Sequence, residues 1–120
     1  MIEVTALPEY LVNLLQNKTK VFIGDLPSLS DEGVGVALEN GTTNSTYFGM
    51  HSCYNPYVRF TVRTKKYVDG MARAEQIKQD LNMYHDDSIL KCTIIGSPMY
   101  IGKNQQSLHE IQILFQVSVH

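Results

Sequence analysis

The stretch Tyr57–Tyr84, YVRFTVRTKKYVDGMARAEQIKQDLNMY, decides the fold of this chain. Its first part alternates apolar and polar residues with a period of two, which predicts a strand with one buried face. The apolar residues of this strand are Val58, Phe60 and Val62, and the arginines on its other face are Arg59 and Arg63.

From Tyr67 onward the period changes to that of a helix. Apolar residues recur at steps of three and four, which predicts one apolar stripe along a helix that reaches Tyr84. The stripe consists of Tyr67, Met71, Ala74, Ile77, Leu81 and Tyr84. Because neither element can bury its apolar face alone, we expect the helix to lie across the sheet that contains the strand. Each large stripe residue then contributes roughly 1.5–3 kcal/mol when it is fully buried.

The remaining sequence predicts a further helix and four more strands. The helix covers residues 5–17, with Pro8 near its start and a buried stripe made of Leu7, Leu11, Leu14 and Leu15. The strands are predicted at Lys20–Asp25, Gly33–Glu39, Ile89–Ser97 and His109–Val119. Pro98–Gly102 is predicted to lead into a turn at Lys103–Ser107.

The last predicted strand has the clearest alternation. Its inward residues are Ile111, Ile113, Phe115, Val117 and Val119, and its outward residues include Gln112 and Gln116, with Leu114 as the one apolar exception.

These elements predict one small α+β domain over residues 1–120. We expect a mixed or mainly antiparallel sheet of four to five strands, two helices on one face, and a protruding hairpin or loop arm at about residues 40–57. The arm is longer than most ordered connections, which favours a function. It carries Tyr47, Phe48, Met50 and Tyr54, residue types that are common in contact surfaces. A hairpin with its own short strands is an equally good and compatible interpretation.

Composition excludes several classes of protein. Of the 120 residues, 43% are hydrophobic and 18% charged, which indicates a folded chain with much neutral surface. The net charge of −2 gives no overall attraction to nucleic acid or anionic lipid. No apolar run is long enough to span a bilayer, and the start of the chain has no basic segment typical of a signal peptide, so we expect synthesis in a cytoplasm. In that compartment Cys53 and Cys92 are expected to be free thiols, with Cys92 a small core residue.

Candidate catalytic and metal-binding groups are few and isolated. His51 and Cys53 lie two residues apart but lack the further ligands that zinc needs and the orienting group that a nucleophile needs. The acidic pair Asp86-Asp87 is typical of a turn that caps and solubilises. We therefore expect no catalytic residue, no metal and no cofactor, and a protein that is not an enzyme.

The face with Arg59 and Arg63 leaves two interpretations open. The arginines could contact phosphate in a small nucleic-acid-binding α+β module, although the aromatic strand motif of RNA-recognition modules is absent. They could equally lie at the rim of a protein interface, which we favour.

The order of elements and several short segments resemble a known family. The segments are Val21–Pro27, Tyr57–Arg63, Ala74–Ile77, Gly96–Gly102 and His109–Val117. In this order and at this length, the chain resembles the minor capsid and tail terminator proteins encoded among the head-tail joining genes of tailed bacteriophages and prophages. That family similarly has leucine-proline after its first strand and glycine-x-proline-x-tyrosine-x-glycine before its last. The similarity covers nearly the whole chain, and the arm departs from it most.

The resemblance implies a structural role in the virion. Copies of the chain would form a ring, of six subunits, at the head-proximal end of the tail, where the ring would contact the tail tube protein and the head connector or neck proteins. Nucleic acid would at most pass through the ring, and no membrane would be involved. Candidate contact residues are those of the arm and those of the outer sheet face, namely Tyr47, Phe48, Met50, Tyr54, Arg59, Arg63, Gln112, Leu114 and Gln116. A head-side neck or minor capsid component remains an alternative.

Overall fold

A computed structural model describes residues 6–24, 32–44 and 53–119, and these form two helices and six strands. In chain order the elements are α1 (Leu7–Leu14), β1 (Val21–Ile23), β2 (Gly33–Asn44), β3 (Cys53–Thr64), α2 (Tyr67–Leu81), β4 (Ile89–Ile94), β5 (Met99–Lys103) and β6 (His109–Val119).

The six strands form one open, mostly antiparallel sheet. Its order is β1-β2-β3-β6-β4, and β5 pairs with β6 on the same side as β4. The pairing of β1 with β2 is parallel, and all other pairings are antiparallel. Strand β6 thus has β3 along one edge and, along the other, β5 beside its first residues and β4 beside its last. The expected α+β fold is confirmed.

Both helices pack on one face of the sheet, as the apolar stripes predict. Val58, Phe60 and Val62 of β3 are completely buried, as are the inward residues of β6 from Ile111 to Val117. The rings of Phe60 and Phe115 meet edge to face, with their centroids 5.6 Å apart. From the helices, the fully or almost fully buried side chains are Leu7, Leu11, Leu15, Ala74, Ile77 and Leu81.

The sheet has one strand more than the four to five expected. Most of Pro98–Gly102, predicted as a lead into the turn at Lys103–Ser107, belongs to strand β5 (Met99–Lys103). The strand predicted to run to Ser97 ends at Ile94, and residues 95–98 connect it to β5. Gly96 and Pro98 interrupt the β-forming residues between Ile89 and Lys103. These residues indicate a turn, so the sequence did not show that a second short strand follows.

Helix α2 is shorter than the stripe from Tyr67 to Tyr84 predicts. It ends at Leu81, and Met83 takes a left-handed φ of 67°. The backbone N–H of Met83 then donates to the carbonyl of Cys92, and the N–H of Cys92 donates to the carbonyl of Tyr84. Tyr84 therefore lies in an extended segment beside β4, from which it still packs against the core. Helix α1 is likewise shorter than residues 5–17.

The arm predicted at about residues 40–57 is largely a hairpin. Strands β2 and β3 stay paired as far as Asn44 and Cys53, which face each other across the hairpin. The register shifts between Glu39 and Thr42, where β2 holds one residue more than β3. Such a bulge bends a hairpin and increases its twist. The segment 45–52 lies outside the described residues.

No helix in the described ranges is long and apolar enough to cross a membrane.

Candidate functional site

The face of the sheet opposite the helices brings together five of the residues predicted as contacts. Register places Arg59 of β3 beside Leu114 of β6. The next pairs on the same face, two residues away on either side, are Thr61 with Gln112 and Tyr57 with Gln116. Arg63 completes the row at the far end of β3. We call this surface, defined by Arg59, Arg63, Gln112, Leu114 and Gln116, the open face.

Both arginines of the open face are paired with carboxylates. Arg63 lies directly across from Glu110, and its Nη2 and Nε atoms are 2.8 and 2.9 Å from Glu110 Oε2. The Arg63 side chain is only 10% exposed as a result. Arg59 forms an ion pair and hydrogen bond with Glu39 of β2. The open face is therefore polar without an excess of positive charge, which does not favour the phosphate-binding interpretation.

Sequence reasoning did not find either carboxylate partner. Opposite charges on directly facing strand residues attract each other, so Glu110 could have been found from the sequence once the pairing of β3 with β6 was known. That register depends on the whole sheet and is not visible in one strand.

A shallow pocket of about 210 Å³ explains the one apolar residue on the outward side of β6. Leu114 lies in it together with Ile95 and Met99, both of which are exposed. The Arg59–Glu39 pair borders the same pocket. An apolar floor with a polar border is the usual composition of a protein contact surface.

The predicted contacts of the arm are not placed by the structure. Tyr47, Phe48 and Met50 lie outside the described residues. Tyr54 belongs to β3, where its backbone pairs with Thr43 on one side and Val119 on the other. These four residues remain predictions.

An aromatic cluster at the other end of β3 and β6 was not predicted as a site. Tyr67 was expected in the buried stripe of α2, but it is 44% exposed. Its ring meets Tyr100 of β5 edge to face at 5.0 Å and lies 6.0 Å from the ring of His109. The Tyr100 hydroxyl is 2.9 Å from His109 Nδ1 and hydrogen-bonds to it. Because Pro98–Gly102 was predicted only as a lead into the turn at Lys103–Ser107, nothing in the sequence placed Tyr100 beside Tyr67.

A second cluster joins α1 to the turn before β4. Asp86 accepts hydrogen bonds from the hydroxyls of Tyr10 and Tyr84 and from the backbone N–H groups of Ser88 and Ile89. Burial by itself would raise the pKa of Asp86, but these hydrogen bonds outweigh it and hold the pKa at about 2. They also raise the pKa values of both tyrosines. The predicted capping role of this carboxylate is confirmed.

A groove of about 410 Å³ runs between the α1–β1 connection and α2. Arg73 of α2 borders it and donates hydrogen bonds to the carbonyls of Asn17 and Thr19, at 3.1 and 3.0 Å. Desolvation lowers the pKa of this guanidinium. Arg73 thus links the α1–β1 connection to α2 through two hydrogen bonds.

The thiol of Cys92 is free and completely buried, as predicted, and burial raises its pKa to about 12. A thiol with that pKa is protonated and unreactive at neutral pH. Within residues 6–24, 32–44 and 53–119, no three His, Cys, Asp or Glu side chains are grouped so that they could hold a metal ion.

Comparison with known proteins gave two findings. A family model described as "Bacteriophage tail terminator protein" matches residues 10–120. A solved chain from the "Virion of native gene transfer agent (GTA) particle" has a similar fold, with a TM-score of 0.61 and 14% identity over 91% of this chain and 83% of that one. The comparison with curated proteins gave no match.

Proposed function

Because the chain belongs to the bacteriophage tail terminator family, we propose that it ends polymerisation of the tail tube at the end nearest the head and joins the tail to the head. Family membership makes it a structural protein of a phage tail and thus a virion component. The observation that carries the proposal is the family match over residues 10–120, nearly the whole chain. The role is structural rather than enzymatic.

The protein acts as a ring of identical copies, with six subunits. A ring requires two different surfaces on each subunit, because each copy contacts its two neighbours in head-to-tail order. The faces of the ring then meet the tail tube protein on one side and the head connector or neck proteins on the other. Nucleic acid passes through the lumen without being recognised.

We assign two surfaces of the subunit to its contacts with neighbouring copies and with the tail tube or neck proteins. One is the arm, with Tyr47, Phe48, Met50 and Tyr54. The other is the open face, where Leu114, Ile95 and Met99 form an apolar floor beside the Arg59–Glu39 pair. The paired charges at its border would orient a partner more than they would add affinity.

The proposed function is tested by negative-stain electron microscopy of a lysate from a phage or prophage that lacks this gene. We expect filled heads beside separate tails of irregular and excessive length. Tails of uniform length beside unjoined or leaking heads would instead place the protein on the head side of the neck. Normal particles would contradict the structural role.

The double variant Tyr47→Ala, Phe48→Ala tests the arm. We expect a protein that folds normally but does not complete particles, because aromatic side chains supply much of the binding energy of protein interfaces. The control is Met83→Ala, which removes an exposed apolar side chain after α2. A normal particle yield from the double variant in a complementation assay would show that the arm is not a contact surface.

A further inference from the structure

Exposed apolar side chains concentrate around the free edge of β5. In the described residues nine large apolar side chains are exposed, and five of them lie here, with exposed fractions from 42% to 73%. We call them the β5 patch: Tyr67, Val68, Met99, Tyr100 and Ile101. Single exposed apolar residues are normal on a protein surface, but a contiguous group marks an interaction site.

Two aromatic rings of the β5 patch are held in place before any partner binds. The edge-to-face packing of Tyr67 on Tyr100 and the hydrogen bond of Tyr100 to His109 fix the two tyrosine rings. Val68 and Ile101 are chain neighbours of these rings. The rings of Tyr67 and Tyr100 therefore lose little side-chain entropy when a partner covers the patch.

The patch also includes a strand edge. Among the described strands, β5 pairs with β6 alone. Met99 faces the side of the open face and Tyr100 the side of the helices, because their register partners are Gln112 and Ile111. An unpaired edge with apolar side chains on both of its faces is suited to receive an extended segment.

The position of the patch identifies which segment can reach it. Strands β3 and β6 run from the β5 patch, at Thr64 and His109, to the base of the hairpin tip, at Tyr54 and Val119. Ten residue steps at about 3.3 Å each separate the two ends by roughly 33 Å. The tip of one subunit therefore cannot cover the patch of the same subunit. In a ring of copies in head-to-tail order, each tip can instead meet the patch of the neighbouring subunit.

The chemistry of the tip matches that of the patch. The segment 45–52, STYFGMHS, contains Tyr47, Phe48 and Met50 and no Asp, Glu, Lys or Arg. The five side chains of the patch are likewise uncharged. Such surfaces can be buried against each other without leaving an unpaired charge in the interface.

From these observations we infer that the hairpin tip, residues 45–52, of one subunit binds the β5 patch of its neighbour in the ring. This inference rests on the proposed function, and it identifies the surface of the neighbouring subunit that the arm binds. Met99 borders both surfaces. The rest of the open face, with Leu114 and Ile95, then remains available to the tail tube or to the neck.

Cross-linking between two differently tagged chains tests the inference directly. Both chains carry Cys53→Ser; one adds Thr46→Cys at the tip, and the other adds Lys66→Cys at the border of the patch. They are co-expressed in a host whose phage lacks the gene, and purified particles are treated with a short bis-maleimide. We expect a covalent dimer that contains both tags.

A control pair that replaces Lys66→Cys with Gln79→Cys, exposed on the far half of α2, should give no dimer. Particles that contain both tagged chains but no dimer from the first pair would overturn the inference.

A second experiment removes the patch without touching the core. In Val68→Ser, Ile101→Ser we expect a folded protein whose incorporation into particles falls about tenfold or more, because the lost contact is repeated around the ring. Met83→Ser is the control. Normal incorporation would overturn the inference, as would intact rings that fail only to bind heads. A gene deletion without any tail defect would contradict the proposed function itself, which distinguishes the two failures.

Discussion

Gly70 sets the distance between α2 and the sheet. A Cβ atom at this position would lie 2.5 Å from Ile111 Cδ1 and 2.6 Å from Thr64 Oγ1. The Thr64 hydroxyl is itself held by a hydrogen bond of 2.7 Å to the carbonyl of Lys66. A glycine in a helix normally lowers helix stability, so its presence here follows from close packing.

We expect Gly70→Ala to lower the free energy of unfolding by up to about 2 kcal/mol. Overpacking costs about 1–3 kcal/mol, against which the better helix propensity of alanine returns about 1 kcal/mol. Urea denaturation followed by circular dichroism measures the change. Gln79→Ala, at an exposed position of the same helix, should stay within about 0.5 kcal/mol of the natural protein. A stabilised Gly70→Ala would show that α2 can move away from the sheet.

Asp86 makes stability depend on acid. Its folded pKa of about 2 lies below the value of about 3.9 for an unfolded aspartate. The ionised carboxylate therefore stabilises the fold fully above about pH 4, and this contribution is lost as the pH falls through the folded pKa.

We expect Asp86→Asn to lower the free energy of unfolding at pH 7 by about 1–2 kcal/mol, a small range because the site is only half-buried. The variant should also lose stability less steeply than the natural protein between pH 4 and pH 2. Asp87→Asn, which alters the exposed neighbour, is the control. Parallel pH profiles of stability for Asp86→Asn and the natural protein would show that another carboxylate determines the acid response.

At the scale of elements, sequence predicted well wherever one period persists. The alternation from Ile111 to Val119 and the stripe from Met71 to Leu81 each continue long enough to identify a buried face. Short elements were not predicted correctly. Strand β5 has five residues, with Gly102 at a register shift, and its place in the sheet depends on β6 rather than on its own sequence.

The candidate site was predicted in part for the same reason. Alternation placed Arg59 and Arg63 on one face with Leu114, and the structure confirms this. It could not reveal the ion pairs with Glu39 and Glu110, since these depend on which strands are neighbours. Nor could it predict that Tyr67, a member of a regular stripe, is half exposed and packs against Tyr100 and His109.

The hairpin tip should be dispensable for folding and essential for assembly. Asn44 and Cys53 face each other directly, so residues 45–52 can be replaced by Asn-Gly, the preferred two-residue hairpin turn. We expect the shortened protein to have a free energy of unfolding within about 1 kcal/mol of the natural one, because an Asn-Gly turn preserves the pairing of β2 with β3. It should be absent from purified particles. Particles that incorporate it normally would contradict the role of the tip.

At the scale of the whole molecule, charge argues against nucleic-acid binding. The net charge is −2, and both arginines of the open face are paired. We expect no binding to a single-stranded oligonucleotide in fluorescence anisotropy at physiological salt. Glu39→Gln with Glu110→Gln, which removes the carboxylate partners of Arg59 and Arg63 and two negative charges, should gain weak binding that added salt removes. Tight, salt-sensitive binding by the natural protein would revive the nucleic-acid alternative.

The central position of β6 has a consequence for synthesis. Strands β4 and β5 pair with no described strand except β6, and β3 depends on it for one of its two edges. Yet β6 follows all of them in the chain, so a ribosome translates the five other strands before the one that joins them. The pairings of β6 with β3 and with β4 span long stretches of sequence, and such non-local pairings slow folding. Nascent chains interrupted before His109 would therefore lack a finished sheet.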